Sequence, residues 1–278
     1  MSEHFEFSLQ SSDGLNLFGQ GWEPAGTPRG VVCLAHGLGE HSSRYTHLAK
    51  AIGDAGYAMA ATDLRGHGKS SGKRGHFQSY ELVLDDISLL IEDSQKRFPG
   101  LPTFLYGHSL GGGLVLNYAL RKNPDLSGII ATGPALRLGF DPPAIKVALG
   151  RGMNRIWPAF AQPSGLDTKA LSRDPEVVQK YENDPLVHDR ASSGLFVGFY
   201  EAGLYALEHA AEFPLPLLLM HGSEDTLTSP KASQQFAASA GDKCTLKIWD
   251  GFYHEIHNEP EKEQVFDLII EWLNQCMG

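Results

Sequence analysis

The sequence predicts an α/β protein: a mostly parallel central sheet flanked by helices, with a helical segment inserted late in the chain. Three observations carry this. Short apolar runs ending in Gly, Asp or Ser alternate with helical patterns along most of the chain, and this alternation stops over residues 137–211. The length, 278 residues, suits one main domain with an insertion. The expected division is a main domain of residues 1–136 and 212–278 and an inserted helical cap of residues 137–211.

The elements follow in chain order. "EHFEFSLQSSDGLNLFGQGWEP" alternates apolar and polar positions around an "SSDG" turn, as a hairpin at a sheet edge does. "GVVCLAHG", "AMAATDLRG", "PTFLYGHS" and "SGIIATGPAL" then read as buried strands separated by crossover helices, which places functional residues on loops at the strands' carboxyl ends. In the insertion, Ile145, Ala148, Leu149, Met153, Ile156, Trp157 and Phe160 recur at three- and four-residue steps until Pro158 interrupts them. This apolar face is expected to enclose a ligand and to pack on the main domain. "SSGLFVGFYEAGLYALEHA" is a second helical pattern, and "LPLLLMHGSED" and "CTLKIWDG" return to strand.

Composition excludes several classes. With 23 basic and 33 acidic residues the net charge is −10, and no basic stripe is available for nucleic acid. The start, "MSEHFEFSLQSSDG", lacks the basic and apolar regions of an export signal, and no apolar run approaches a membrane span. Cys33, Cys244 and Cys276 are scattered and odd in number, which suits reduced thiols in a cytoplasm.

"FLYGHSLGGG" (104–113) sets Gly-x-Ser-x-Gly between an apolar strand and the helical "LVLNYAL", the context of a nucleophile elbow with Ser109 at its tip. A serine hydroxyl needs a histidine base and a carboxylate that orients it, in the chain order Ser, acid, His. Asp225 and His254 stand in that order after the last two strands. Glu224 is the alternative acid, but neighbouring side chains on an extended turn diverge, so only one faces His254. "HEIH" is not a His-Glu-x-x-His motif and no third ligand is evident, so no metal is expected. Backbone amides must meet the developing oxyanion: Leu110 supplies one, and Leu38, in the loop after "VVCLA", the other. Asp63, Arg65 and His67 are read as loop support, and His108 and His221 as packing or supporting histidines.

"HGLGEHSSRY", "DLRGHGKSSG", "GHSLGG", "SRDPEVVQKYENDPL", "HGSEDTLTSP" and "GFYHEIHNE" together resemble the monoacylglycerol lipase group of the α/β-hydrolase superfamily, from about residue 5 to the last helix. The resemblance implies an α/β-hydrolase fold with a cap. It also implies Ser109 as nucleophile, Asp225 as acid, His254 as base, the amides of Leu38 and Leu110 as oxyanion donors, and no cofactor. Glu40, Arg44 and His257 match positions near the glycerol headgroup, although Glu40 and Arg44 equally suit a structural ion pair holding the oxyanion loop. The sequence departs from members with cysteines in the substrate tunnel, showing Val187, His188 and Thr228 there.

The expected reaction is hydrolysis of a single-chain lipid ester. A lysophospholipase, a short-chain carboxylesterase, a peptidase of related fold and a non-catalytic ligand receptor are the alternatives. Acids in the insertion (Asp167, Asp174, Glu176, Glu182, Asp184, Asp189) are too spread to hold a substrate amino terminus. The apolar face with Trp157 and Phe160 near Lys146, Arg151 and Arg155 resembles an interfacial helix, so peripheral membrane contact is a further expectation.

Overall fold

The computed structural model describes residues 3–140 and 142–277. Strands β1 (Glu3–Gln10) and β2 (Asn16–Glu23) form the expected edge hairpin, paired from Glu3–Glu23 to Gln10–Asn16. Gly14 sits at φ +85° in its turn, a conformation that glycine adopts without a Cβ penalty. β3 (Val31–Ala35), β4 (Ala58–Thr62), β5 (Thr103–His108), β6 (Gly128–Thr132), β9 (Leu217–Gly222) and β10 (Cys244–Trp249) complete an eight-stranded sheet. Its order is β1-β2-β4-β3-β5-β6-β9-β10, antiparallel from β1 to β4 and parallel thereafter.

β3, β4, β5, β6 and β9 are buried at every position, which is why they read as unbroken apolar runs. β10 lies at the edge and alternates. Alternate side chains feed two core layers. Val32, Leu34, Phe104 and Met220 meet α1 (Thr46–Asp54) and α8 (Lys262–Gln275) on one face. Cys33, Ala35, Leu105 and Leu219 meet α2 (Tyr80–Arg97), α3 (Leu110–Lys122) and α7 (Pro230–Ala240) on the other.

Between β6 and β9 lie α4 (Ala144–Ile156), β7 (Ala161–Pro163), α5 (Pro175–Asn183), β8 (Arg190–Ser192) and α6 (Ser193–Glu208). β7 and β8 pair as a short antiparallel ribbon that the sequence pattern does not reveal. α6 packs on α3, where Asn117 Nδ2 donates to Ala202 O at 3.0 Å, and on the segment after β6, where a Cβ on Gly203 would lie 2.3 Å from Leu136 O.

The apolar stripe of α4 faces the opposite way from expectation. Ile145, Leu149 and Ile156 are 68%, 66% and 84% exposed, and the side turned toward α6 is built from Val147 and Gly150, the latter next to Phe196. Periodicity identifies a face but not its destination. Here the small residue at 150 lets the helices approach, and the large residues are left outside.

Candidate active site

Ser109 stands between β5 and α3, as the cap of the helix, at φ 55°, ψ −116°, a backbone conformation that costs on the order of 1–3 kcal/mol in a non-glycine residue. Local bonds hold it there: Ser109 N–H donates to Thr132 O at 2.9 Å, and its carbonyl accepts from Gly113 N at 3.0 Å and Ala135 N at 2.9 Å. The flanking glycines are required by space. A Cβ on Gly107 would lie 2.3 Å from Gly111 O, and one on Gly111 would lie 2.0 Å from Ala35 O.

The three sequence-derived groups come together. His254 Nε2 lies 2.8 Å from Ser109 Oγ, and its Nδ1 lies 2.6 Å from Asp225 Oδ2. Asp225 Oδ1 accepts from the amides of Leu227 at 2.8 Å and Thr228 at 3.0 Å, an Asx-type turn that aims Oδ2 at His254. Glu224 is exposed, so Asp225 is the acid that faces the histidine. Burial opposes charge on Asp225, but His254 and a hydrogen bond from His221 outweigh it and hold the carboxyl well below the ordinary range. Burial likewise works to lower His254, and the Asp225 carboxylate overcomes it, leaving the imidazole above its ordinary value.

The loop after β3 crosses over Ser109. Gly39, at φ +78°, passes so close to the inserted segment that a Cβ would lie 2.4 Å from His188 O. Leu38 and Leu110 line the same cavity as Ser109 and His254. Among the described residues neither of their amides has an acceptor, as an oxyanion hole requires before substrate arrives.

Glu40 and Arg44 do not reach the wall of this cavity. Glu40 Oε1 accepts from Gly37 N at 2.6 Å and Tyr45 OH at 2.7 Å, while its Oε2 lies 2.5 Å from Arg44 Nη1. Arg44 also grips Glu255 through both Nη atoms, at 2.6 and 2.7 Å. Together they form a buried ion cluster beneath the loop after β3, the arrangement that the ion-pair alternative expects. Glu255 is the member that sequence reading missed, because it lies 211 positions from Arg44. His257, the third residue of that set, is fully buried, stacked 4.7 Å from Tyr45, with neither ring nitrogen bonded among the described residues. Burial, then His108, push its imidazole well below the ordinary value.

Thr228, in the sequence only a departure from family members with a cysteine there, lies against the acid. Its Oγ1 lies 2.8 Å from Asp225 Oδ2, 3.0 Å from Gly133 O and 3.3 Å from His254 Nδ1. The cavity itself is about 180 Å³ and apolar, walled by Leu138, Phe140, Leu166, Phe196 and Phe199. Among the described residues no carboxylate lines it. Such a site activates a hydroxyl for attack on a carbonyl next to a hydrocarbon group.

Residues 26–261 match the serine aminopeptidase S33 family, Hydrolase_4. The chain is 35% identical over 274 residues to the monoacylglycerol lipase of Mycolicibacterium smegmatis, covering 98% of each. It is 38% identical over 272 residues to an uncharacterized abhydrolase domain-containing protein of Dictyostelium discoideum, covering 96% of this chain but only 29% of that longer protein. The crystal structure of Paleococcus ferrophilus monoacylglycerol lipase superposes with a TM-score of 0.86 at 39% identity, covering 94% of this chain and 99% of that one. Sequence, sheet order and the geometry around Ser109 therefore agree, and the chain belongs to the serine aminopeptidase S33 family of α/β-hydrolases, in its monoacylglycerol lipase group.

Proposed function

We propose that this chain hydrolyses the ester bond of monoacylglycerols through an acyl-enzyme on Ser109, with His254 as base and Asp225 as the acid that orients it. The observation that carries the reading is the line from Asp225 through His254 to Ser109, opening onto an apolar cavity with two unbonded amides beside the nucleophile. Ser109 Oγ attacks the ester carbonyl as His254 Nε2 takes its proton, and the amides of Leu38 and Leu110 receive the oxyanion. Collapse breaks the acyl–oxygen bond, His254 returns the proton to the departing glycerol, and water activated by His254 releases the fatty acid. The acyl chain lies among Leu138, Phe140, Phe196 and Phe199. Among the described residues no carboxylate lines the cavity, whereas the substrate ammonium of an aminopeptidase needs one.

The test is kcat/KM for a long-chain monoacylglycerol, the diacylglycerol and the lysophospholipid bearing the same acyl chain, with Ser109→Ala as the blank. A preference for the monoacylglycerol of about tenfold or more, roughly 1.4 kcal/mol in the transition state, is expected. Faster turnover of the lysophospholipid would overturn the headgroup part of the reading.

The segment 137–211 serves as the cap over this cavity, and its outward apolar face docks on lipid. Phe140, Ile145, Leu149, Ile156 and Trp157 are all more than half exposed, beside Lys146 and Arg155 on a chain of net charge −10. No helix among the described residues is long and apolar enough to cross a membrane, so this contact is peripheral. Ile156→Asp is expected to weaken partitioning onto anionic vesicles by about tenfold or more, since burying an isoleucine side chain is worth about 1.5–3 kcal/mol. Cosedimentation with vesicles reads this, and unchanged partitioning would remove α4 from the docking surface. Cys33, Cys244 and Cys276 stand as free thiols, in keeping with a reducing cytoplasm.

A further inference from the structure

His221 has no part in the steps above, yet it is a second imidazole on the catalytic carboxylate. It lies next to the last residue of β9 with its side chain fully buried. Its Nε2 lies 3.0 Å from Asp225 Oδ2, the same oxygen that His254 Nδ1 meets at 2.6 Å. Its Nδ1 lies 2.7 Å from Oγ of Ser233, a fully buried residue of α7. An ionised carboxylate only accepts hydrogen bonds, so His221 Nε2 carries the proton and donates. In the neutral imidazole Nδ1 then keeps its lone pair, and the Ser233 hydroxyl donates to it. Two serine–histidine arms thus converge on one oxygen: Ser109–His254 from the substrate side and Ser233–His221 from the core.

We propose that His221, locked by Ser233, is a positioning residue for ester hydrolysis: it fixes the rotation of Asp225 and takes up part of the charge that Asp225 presents to His254. This rests on the triad reading above. The positioning follows from what else holds Oδ2. The Thr228 hydroxyl has one proton and a competing acceptor in Gly133 O, and its oxygen lies 3.2 Å from His221 Nε2, but the shorter contact and the charge on Asp225 direct the His221 hydrogen to Oδ2. β9 and α7 flank the loop carrying Asp225, and the His221–Ser233 bond ties the end of one to the first turns of the other. The charge effect follows from hydrogen bonding. A donor on Oδ2 makes that oxygen a weaker partner for the imidazolium, and its removal lets Asp225 hold the proton on His254 to higher pH. The other titratable groups facing His254 are His108, 4.8 Å away between ring centres, and beyond it Glu255 and Glu40. None of them touches His221.

The experiment is the pH profile of kcat/KM for the wild type, His221→Leu, His221→Gln and Ser233→Ala, with thermal unfolding measured alongside. His221→Leu is expected to lower kcat by about tenfold to a hundredfold, the scale of a hydrogen bond to a charged group, and to move the acid limb to higher pH. His221→Gln, whose amide nitrogen can donate to Oδ2, is expected to recover most of the activity. Ser233→Ala leaves the imidazole in place but frees its orientation, and is expected to move the limb the same way by less. An acid limb unmoved in both His221→Leu and Ser233→Ala, with only the melting temperature lowered, would overturn the proposal. So would a glutamine variant no better than leucine. Fluorophosphonate labelling of Ser109 in the wild type separates the two readings: no labelling removes the triad, whereas labelling with an unmoved limb removes only the role of His221.

Discussion

Asp225→Asn is expected to fold and to bind substrate with little change in KM, but to lose about four orders of magnitude in kcat. The geometry dictates which way the amide turns. Leu227 and Thr228 both donate backbone N–H to Oδ1, so the asparagine oxygen stays on that side and its NH₂ takes the place of Oδ2. That NH₂ then faces His254 Nδ1, which must surrender its proton to accept, leaving the proton on Nε2 where it points at Ser109 Oγ. A histidine in that tautomer cannot take the serine proton. The same substitution removes the carboxylate that raises His254, so the residual activity should keep its acid limb at lower pH than the wild type. In the wild type the base works only when neutral, so activity falls with falling pH through a limb above the ordinary histidine value of 6.5. Steady-state kinetics across pH, with circular dichroism to show an intact fold, check both statements. A kcat within tenfold of wild type would remove Asp225 from its role.

Most of this site is legible in the sequence because its chemistry is tied to backbone punctuation. Gly107 and Gly111 are forced by contacts shorter than any side chain tolerates, so the elbow leaves a fixed pentapeptide. Asp225 and His254 follow strands, and strand order carries them to the same sheet end as Ser109. The buried strands are legible for a related reason, since burial on both faces leaves no polar alternation to confuse them with an edge. What escapes the sequence is direction and distance. The stripe of α4 is visible as a period, but only Gly150 against Phe196 decides that it turns outward. Glu40 and Arg44 are visible as an i,i+4 pair, but their burial under the oxyanion loop depends on Glu255 arriving from the far end of the chain. His221 reads as a packing or supporting histidine and Thr228 as a departure from the family, and only tertiary structure shows that both put polar atoms on Asp225.

Arg44→Met is expected to destabilise the protein by about 3–5 kcal/mol, because it leaves carboxylates buried without their cation. The side chains of Arg44, Glu40 and Glu255 are 10%, 3% and 2% exposed, so solvent cannot replace the lost partner. Packing is lost as well, since the guanidinium lies 4.7 Å from the centre of the Tyr181 ring. The effect has a definite pH signature. Burial raises the Glu255 carboxyl, but Arg44 outweighs it and holds the group far below its ordinary 4.5, so in the wild type this contribution is present above pH 4.5 and is lost only in stronger acid. Without Arg44 burial prevails, and Glu255 protonates more readily folded than unfolded. The variant therefore recovers stability as pH falls from neutrality toward 4.5, and the gap to wild type narrows over that range. Adding Glu255→Gln to Arg44→Met should return part of the loss at neutral pH. Activity should fall with stability, because Glu40 also accepts from Gly37 N–H and so sets the path of the loop that presents Leu38. Urea denaturation at neutral and mildly acidic pH reads the stability, and a gap that stays constant with pH would show that lost packing, not the stranded carboxylate, sets the cost.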